Sequence, residues 1–550
     1  MVKFAPKNFS EGCKTTKPLT KAEADKFELA AKNTWVYQMY LDDLPIWGVV
    51  GEMIPNQNKE LKAHVYTERT LLIKYNKDRI VEVDLISDPK SLVEVKEGVE
   101  LKFVTNFKWE ATVKEFHSRF DKYLDQPFFK HHIHWFSIFN SFMMVLFLMG
   151  LVALILVRTL RKDYARYGLV GLDDDEEDEE GAYVDDNGKA EDPLMKSGGL
   201  PNEESGWKQV HGDVFRAPYL LPVVAAILGT GWQLIVLSLG VILFAVAGPL
   251  HGEVHEDRGE MQHVALICYC FSSVVAGYVS GSYFKLYNST KNLGRSKSSG
   301  GSQWQLTMFL TVMLLPTVLV AILSILNGIA LVYNTVNYIP FLVILKLFFI
   351  WMLLSVPLCV IGTLAGRHAN ISVGGDNGGC FTSSDFPCRV NAIARPIPED
   401  VPFHGKPMNL VPFAGLLSFG SIFIELYYVL TSLWNYKVYH VYGFLLAVYA
   451  ILAVVVSMTT IIVVYFCLNA ENYLWQWTAL ASGGSIAGYV FLYGIYYFIF
   501  KTQMTGFLQT MFYFGYMALI SLTLGTLSGT VGHFAASKFV RTIFRNVKVD

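Results

Sequence analysis

Two ionisable residues lie deep inside apolar runs, and they are where this sequence most plainly offers chemistry. Lys346 sits in Phe341-Leu-Val-Ile-Leu-Lys-Leu-Phe-Phe-Ile350, and Glu425 in Ser421-Ile-Phe-Ile-Glu-Leu-Tyr-Tyr428. A charged side chain at the centre of a bilayer costs at least ~2.5 kcal/mol, so each needs a partner or a role. Lys346 lies about eight positions from the start of its run and Glu425 about eight from the end of the next, which runs back the other way, so both are ~12 Å from the same, lumenal side at the helical rise of 1.5 Å per residue. That depth match predicts an ion pair between adjacent helices. The alternative is a proton or ion pathway through Glu425, as in a transporter or channel, although such relays use several acidic or His groups. His131-His-Ile-His134 looks metal-like, but no Cys or carboxylate pattern accompanies it. An interfacial cluster is expected there, and no metal. The chain has no P-loop, no G-x-S-x-G and no H-E-x-x-H. Neither a cofactor nor enzymatic activity is expected.

The elements that must position these residues are membrane spans. The 550 residues are 52% hydrophobic and only 17% charged, below the ~25% charge of soluble domains. Nine apolar stretches run at roughly 135–157, 219–247, 262–284, 305–333, 338–366, 411–433, 441–468, 478–500 and 508–535. About 20 apolar residues cross a ~30 Å hydrocarbon core. The expected fold class is therefore a multi-pass α-helical membrane protein, nine transmembrane helices preceded by a β-rich lumenal domain. Residues 1–132 carry alternating segments at 35–40, 46–50, 70–75, 80–85 and 99–104 with turn residues between them, which predicts an antiparallel β-domain. It is followed by the first helix (133–157), a cytosolic acidic loop (158–218), helices two to nine (219–535) and a cytosolic tail (536–550).

Orientation follows from Lys and Arg near the span ends. Arg158, Arg161, Lys162 and Arg166 follow span one; Lys285, Lys291, Arg295 and Lys297 follow span three; Arg367, Arg389, Arg395 and Lys406 follow span five. Lys538, Arg541, Arg545 and Lys548 lie at or beyond the end of span nine. The opposite side has Arg258, Lys437 and Lys501. The expected topology is an N-terminus in the lumen and a C-terminus in the cytosol. Only Asn8 of the sequons at Asn8, Asn288 and Asn370 then faces the glycosylation machinery. Cys13 has no lumenal partner, and Cys380 and Cys388 fall on the reducing side. The first residues lack an apolar targeting core, so either span one acts as the signal or a longer precursor precedes this chain. The block at 173–180, all Asp and Glu, reads as a solvated linker, with an interaction segment as the alternative.

Other polar or small residues within the spans have structural readings. Asn327, Asn334 and Asn337, and Asn469, Glu471 and Asn472, are expected to satisfy helix ends. Gly277/Gly281, Gly484/Gly488 and Gly525/Gly529 place glycines on one helix face. Such faces pack helices closely, either within the bundle or against the transmembrane helices of client proteins. Pro316, Pro340 and Pro357 predict kinks.

Several motifs together resemble the nonaspanins, the transmembrane nine superfamily, from about Trp35 to Asp550. They are His134-Trp-Phe-Ser-Ile-Phe-Asn140, Arg161-Lys-Asp-Tyr-Ala-Arg-Tyr167, Gly206-Trp-Lys-Gln-Val-His-Gly-Asp-Val-Phe215 and Asp385-Phe-Pro-Cys-Arg-Val-Asn391. Arg395-Pro-Ile-Pro398, Phe419-Gly-Ser-Ile-Phe-Ile-Glu425, Asn469-Ala-Glu-Asn-Tyr473, Phe512-Tyr-Phe-Gly-Tyr516 and Asn546-Val-Lys-Val-Asp550 complete the set. The pattern is most similar to the third-member subgroup. The resemblance implies a Golgi and endosomal membrane protein that sorts or localises other membrane proteins, glycine-rich transmembrane segments being one client class. It implies a C-terminal Lys-x-Asp signal for the COPI coat, here Lys548 and Asp550. It also implies an aromatic-hydrophobic signal for leaving the endoplasmic reticulum, which maps onto Phe539 and Val540. The implied partners are the coat, client transmembrane proteins and the bilayer, with no nucleic acid.

Overall fold

The computed structural model describes residues 8–14, 18–42, 44–55, 61–119, 122, 139–140, 142–155, 157–158, 206–247, 260–291, 300–333, 335, 338–368, 386, 390–391, 393–398, 405–434, 442–502 and 504–545. The acidic block at 173–180, the His131–His134 cluster, Asn334, Asn337, Asn370, Cys380, Cys388, Lys548 and Asp550 lie outside them, as does the side chain of Cys13. The chain divides into two compact units. One is 1–132 with 250–260 and 434–440, and the other holds the remainder.

The first unit is β-rich. Its elements are β1 (Phe9–Lys14), α1 (Lys21–Lys32), β2 (Val36–Leu41), β3 (Leu44–Val49), β4 (Gly51–Pro55), β5 (Leu61–Tyr66), β6 (Glu68–Asn76), β7 (Arg79–Ser87), β8 (Leu92–Glu94) and β9 (Lys102–Ala111). They form one sheet in the order β1-β9-β6-β7, a β2-β3 hairpin and a sheet β4-β5-β8. The expectation of a purely antiparallel domain is corrected at one pair, since β6 and β9 run parallel. The connection after β7 is long enough for a crossover, which a parallel neighbour requires. Alternation sets the core: Leu71 and Ile73, Val83, Phe107 and Trp109 point inward against Leu44 and Ile46. Helix α1 begins at Thr20, where Glu23 accepts hydrogen bonds from the Thr20 backbone N–H (2.9 Å) and hydroxyl (2.8 Å).

The other face of β7 carries a charge cluster. The buried Glu82 carboxylate takes Lys122 at 2.9 Å, Lys114 at 3.2 Å and, from the facing residue of β6, Lys74 at 3.4 Å. Burial pushes the Glu82 carboxyl up, but the hydrogen bonds from Lys122 and Lys114 and the nearby lysine charges outweigh it and hold the group at about 2.

The second unit is a helix bundle. Eight helices among the described residues are long and apolar enough to cross a membrane. They are spans two (Leu221–Ala247), three (Glu260–Lys291), four (Gly300–Val332), five (Phe341–His368), six (Pro407–Trp434), seven (Tyr442–Asn469), eight (Trp475–Lys501) and nine (Phe507–Phe544). A shorter apolar helix, Phe142–Ile155, falls in the first expected span. The chain is a multi-pass membrane protein. Pro316 is internal to span four, but Pro340 is the N-cap of span five rather than a kink, and its carbonyl accepts from the Val343 N–H at 2.9 Å. Span five widens into a π-turn at Trp351–Ser355, next to Pro357, whose missing N–H breaks the regular ladder.

The depressed Glu82 carboxyl gives stability that is present above its unfolded value near 4.5 and lost as pH falls toward about 2. Acid should therefore expose β7 to hydrogen exchange over that interval. Glu82→Gln should remove the interval and loosen β7 at neutral pH. Identical exchange profiles for the two proteins from pH 5 to about 2 would contradict the assignment.

Candidate functional site

Three arrangements in the bundle could carry function: its glycine crossings, a polar cap at one end, and the two intramembrane charges. The crossings bring backbone against backbone. Gly277 and Gly281 of span three face Cys359 and Thr363 of span five, while Gly362 and Gly366 of span five face Val274 and Tyr278 in return. A Cβ at Gly281 would stand 2.6 Å from the Thr363 carbonyl oxygen. Between spans eight and nine, a Cβ at Gly525 would meet the Gly484 oxygen at 3.0 Å, and one at Gly529 the Leu480 oxygen at 2.8 Å. On the remaining flanks of span nine, Thr530 fills the space beside Gly231 of span two, and Gly532 meets Thr460 of span seven. Lipid gives helices no hydrophobic drive to associate, so such close contact is what holds them. Gly488 is different, with open space around it.

The cap lies where spans two, four, six and eight begin and spans three, five, seven and nine end. Its segment 206–216 is pinned by hydrogen bonds to buried carbonyls. Trp475 Nε1 donates to the Val214 oxygen (2.8 Å), and Gln476 Nε2 to the Arg216 oxygen (3.0 Å). Asp213 pairs with Arg216, whose guanidinium also donates to the Asn391 oxygen at 2.8 Å. The Arg395 N–H donates to Asp213 Oδ2 at 3.2 Å, and the Arg395 guanidinium reaches Glu471 at 3.0 Å. Glu471 holds a left-handed backbone, φ +60°, at the end of span seven, a conformation that costs a non-glycine about 1–2 kcal/mol. Beneath these charges Trp207, Val214, Phe215, Trp475, Phe539, Val540 and Phe544 form one apolar cluster. His533 lies below it, stacked on Trp475 and 3.2 Å from the Tyr283 hydroxyl. Arg367 packs over Trp304 at the same end.

Several residues that meet in this cap, among them Trp207, Asp213, Asn391, Arg395 and Glu471, belong to the motifs at 206–215, 385–391, 395–398 and 469–473. The family described as Endomembrane protein 70 matches residues 2–507. The chain belongs to the transmembrane 9 superfamily. It is 33% identical to Transmembrane 9 superfamily member 4 of Arabidopsis thaliana over 99% of this chain and 84% of that protein. It is 35% identical to member 2 of the same plant (97% and 83% covered) and 31% identical to member 1 of Bos taurus (97% and 82%). Member 3 of Arabidopsis thaliana, at 34%, stands level with members 2 and 4. No solved structure matches.

Within this superfamily chain the two intramembrane charges do not pair with each other among the described residues. Glu425 is buried, 5% exposed, on the face of span six that also buries Ser418 and Ser421. Lys346 is exposed on the first half of span five, no residue of which is buried. No ion pair joins them among the described residues, which corrects the depth-match expectation. Equal depth brings two residues together only where their helices pack, and this half of span five does not pack. The readings of Asn327 and Asn472 as helix-end ligands agree with the structure. Asn327 exchanges two hydrogen bonds with the Ile339 backbone, at 2.7 and 3.3 Å, and Asn472 Oδ1 accepts from the Leu474 N–H at 2.9 Å. Phe539 and Val540 are 6% and 0% exposed, so the folded chain does not present them to a cytosolic reader. Sequence reading missed Tyr283, Trp475 and His533; the signal was a ring with a polar tip inside or beside an apolar run.

The crossings and the cap separate by mutation. Gly281→Leu should destabilise the bundle by about 1–3 kcal/mol through overpacking, while Gly488→Leu should leave thermal unfolding in detergent unchanged. Trp475→Phe strands the Val214 carbonyl and should cost about 1–3 kcal/mol. Equal melting of the two glycine variants would contradict the packing described.

Proposed function

We propose that this chain sorts or localises other membrane proteins in the Golgi and endosomes and is recycled there by the COPI coat through Lys548 and Asp550. The observation that carries the reading is the clamped end of span nine. Phe544 is 0% exposed in the cap cluster, and Lys548 and Asp550 follow four and six positions later. A chain of six residues reaches at most about 20 Å. A coat subunit that took the signal would therefore work against the cap itself. An ammonium and carboxylates on a short segment suit charge-assisted recognition. The proposed topology has residues 1–132 in the lumen, where Asn8 is available for N-glycosylation, and the tail in the cytosol. The gathering of Arg216, Arg367, Arg395 and Arg541 at the cap end supports it.

The signal assigned to Phe539 and Val540 is not carried into this proposal, because both side chains serve the core. Client recognition through Gly277/Gly281 or Gly525/Gly529 is not carried into it either, since spans three, five, eight and nine occupy those faces. The reading is non-enzymatic, and among the described residues no group of His, Cys, Asp and Glu could hold a metal ion.

Joint Lys548→Ser and Asp550→Ser substitution should release the chain from the Golgi, read by immunofluorescence, with thermal unfolding unchanged. Continued Golgi residence would overturn the coat assignment. Phe539→Ala should instead cost about 3–5 kcal/mol of fold stability, as for other buried aromatics.

A further inference from the structure

The corner where spans three and five end and span four begins collects cations without a counter-charge. Gly281 of span three lies against Thr363 of span five, and both spans end at the cap. Four further positions make about one turn. Lys285 and Arg367 therefore leave the two helices on these same facing sides, within about one turn of a common level. Lys285 is exposed and Arg367 half-buried. The Arg367 guanidinium rests on the Trp304 ring of span four, 4.0 Å from its centroid. It makes no hydrogen bond or ion pair among the described residues. A guanidinium laid flat on a ring keeps its N–H groups, which lie in its own plane, available to an acceptor.

None of the three spans supplies that acceptor. Their only Asp or Glu is Glu260, at the far end of span three. The cap carboxylates Asp213 and Glu471 are already bound by Arg216 and Arg395. Two neighbouring cations repel, and an anion shared between them turns the repulsion into attraction. The corner lies where three apolar helices end, which is the headgroup level of a bilayer, and Trp is enriched there. Within two turns below it, Ile361 and Leu364 of span five and Leu306 and Phe309 of span four are 58%, 38%, 47% and 55% exposed. The ligand that suits this place carries net negative charge at the upper level and hydrocarbon below.

We propose that Arg367 and Lys285 bind the headgroup phosphate of an anionic phospholipid, with an acyl chain along Ile361, Leu364 and Phe309. Arg367, held by Trp304, offers two parallel N–H donors to the phosphate oxygens, and Lys285 adds a point charge. Basic pockets between helix ends take lipid headgroups in this way. A zwitterionic lipid brings no net charge and leaves the two cations uncompensated. In the proposed topology the lipid belongs to the cytosolic leaflet. The site stands apart from the sorting and coat readings, and neither falls with it.

Native mass spectrometry of the full chain in detergent tests the site. The chain is titrated with phosphatidylserine or with phosphatidylcholine of the same acyl chains. Phosphatidylserine should bind at least about fivefold more tightly. Arg367→Met and Lys285→Met should each bring that preference below about twofold. Arg367→Lys keeps the charge and should keep most of the preference. Lys501→Met, at the other end of the bundle, should leave it unchanged. Thermal unfolding without added lipid shows whether a variant is folded; should Arg367→Met melt early, Lys285→Met, at an exposed position, gives the reading. Equal binding of the two lipids would overturn the proposal, and so would a preference that survives either Met substitution in a folded chain. Displacement of the lipid by an equal concentration of inorganic phosphate would show a site for a free anion, and that also overturns it.

Discussion

Close backbone contact along span nine is the constraint on which the rest of the bundle depends. A helix in lipid gains nothing by hiding apolar surface from water, so it associates through van der Waals contact between small residues. Span nine brings Gly525 and Gly529 to span eight, Thr530 to Gly231 of span two and Gly532 to Thr460 of span seven. A helix that contacts three neighbours in this way cannot shift by one residue without a backbone clash. The long apolar spans could slide past one another on hydrophobicity alone. The small residues fix their register, and with it the positions of the ends.

Fixing the ends creates the cap. Spans eight and nine deliver Trp475 and Phe544 to one level, where the segment 206–216 closes over them. The charges above, Asp213, Arg216, Arg395 and Glu471, are tied into a network that spans residues far apart in sequence. Glu471 tolerates its left-handed backbone because that ion pair and the helix-end hydrogen bonds around it over-determine the turn. The cap is thus the place where the membrane unit ends as a rigid object.

The sequence was legible where one element decides the outcome. Length and apolarity marked every span the structure describes, and alternation marked β2, β3, β6, β7 and β9. The short strands β1, β4, β5 and β8 and the helix α1 escaped notice. Strands of three to six residues leave little periodic signal, and α1 announces itself only through Thr20-x-x-Glu23. Pair relations were harder. Lys346 and Glu425 share a depth, but depth says nothing about which helices touch, and no residue of the half-helix bearing Lys346 is buried among the described residues. The parallel β6–β9 pair was hidden for the same reason, since partner choice depends on a crossover and not on either strand's own pattern. The motifs at 206–215, 385–391, 395–398 and 469–473 could be recognised individually; that residues from them form one cap required the fold.

The central claim is that the glycine faces of spans eight and nine are spent within the bundle. Spin labels at the exposed positions Tyr496 and Tyr516, one on each span, would test it by distance measurement in bilayers. The account predicts a single narrow distance that does not change when a glycine-rich transmembrane helix is added in excess. A distance that broadens or lengthens with the added helix would show that the face opens to clients and would contradict it.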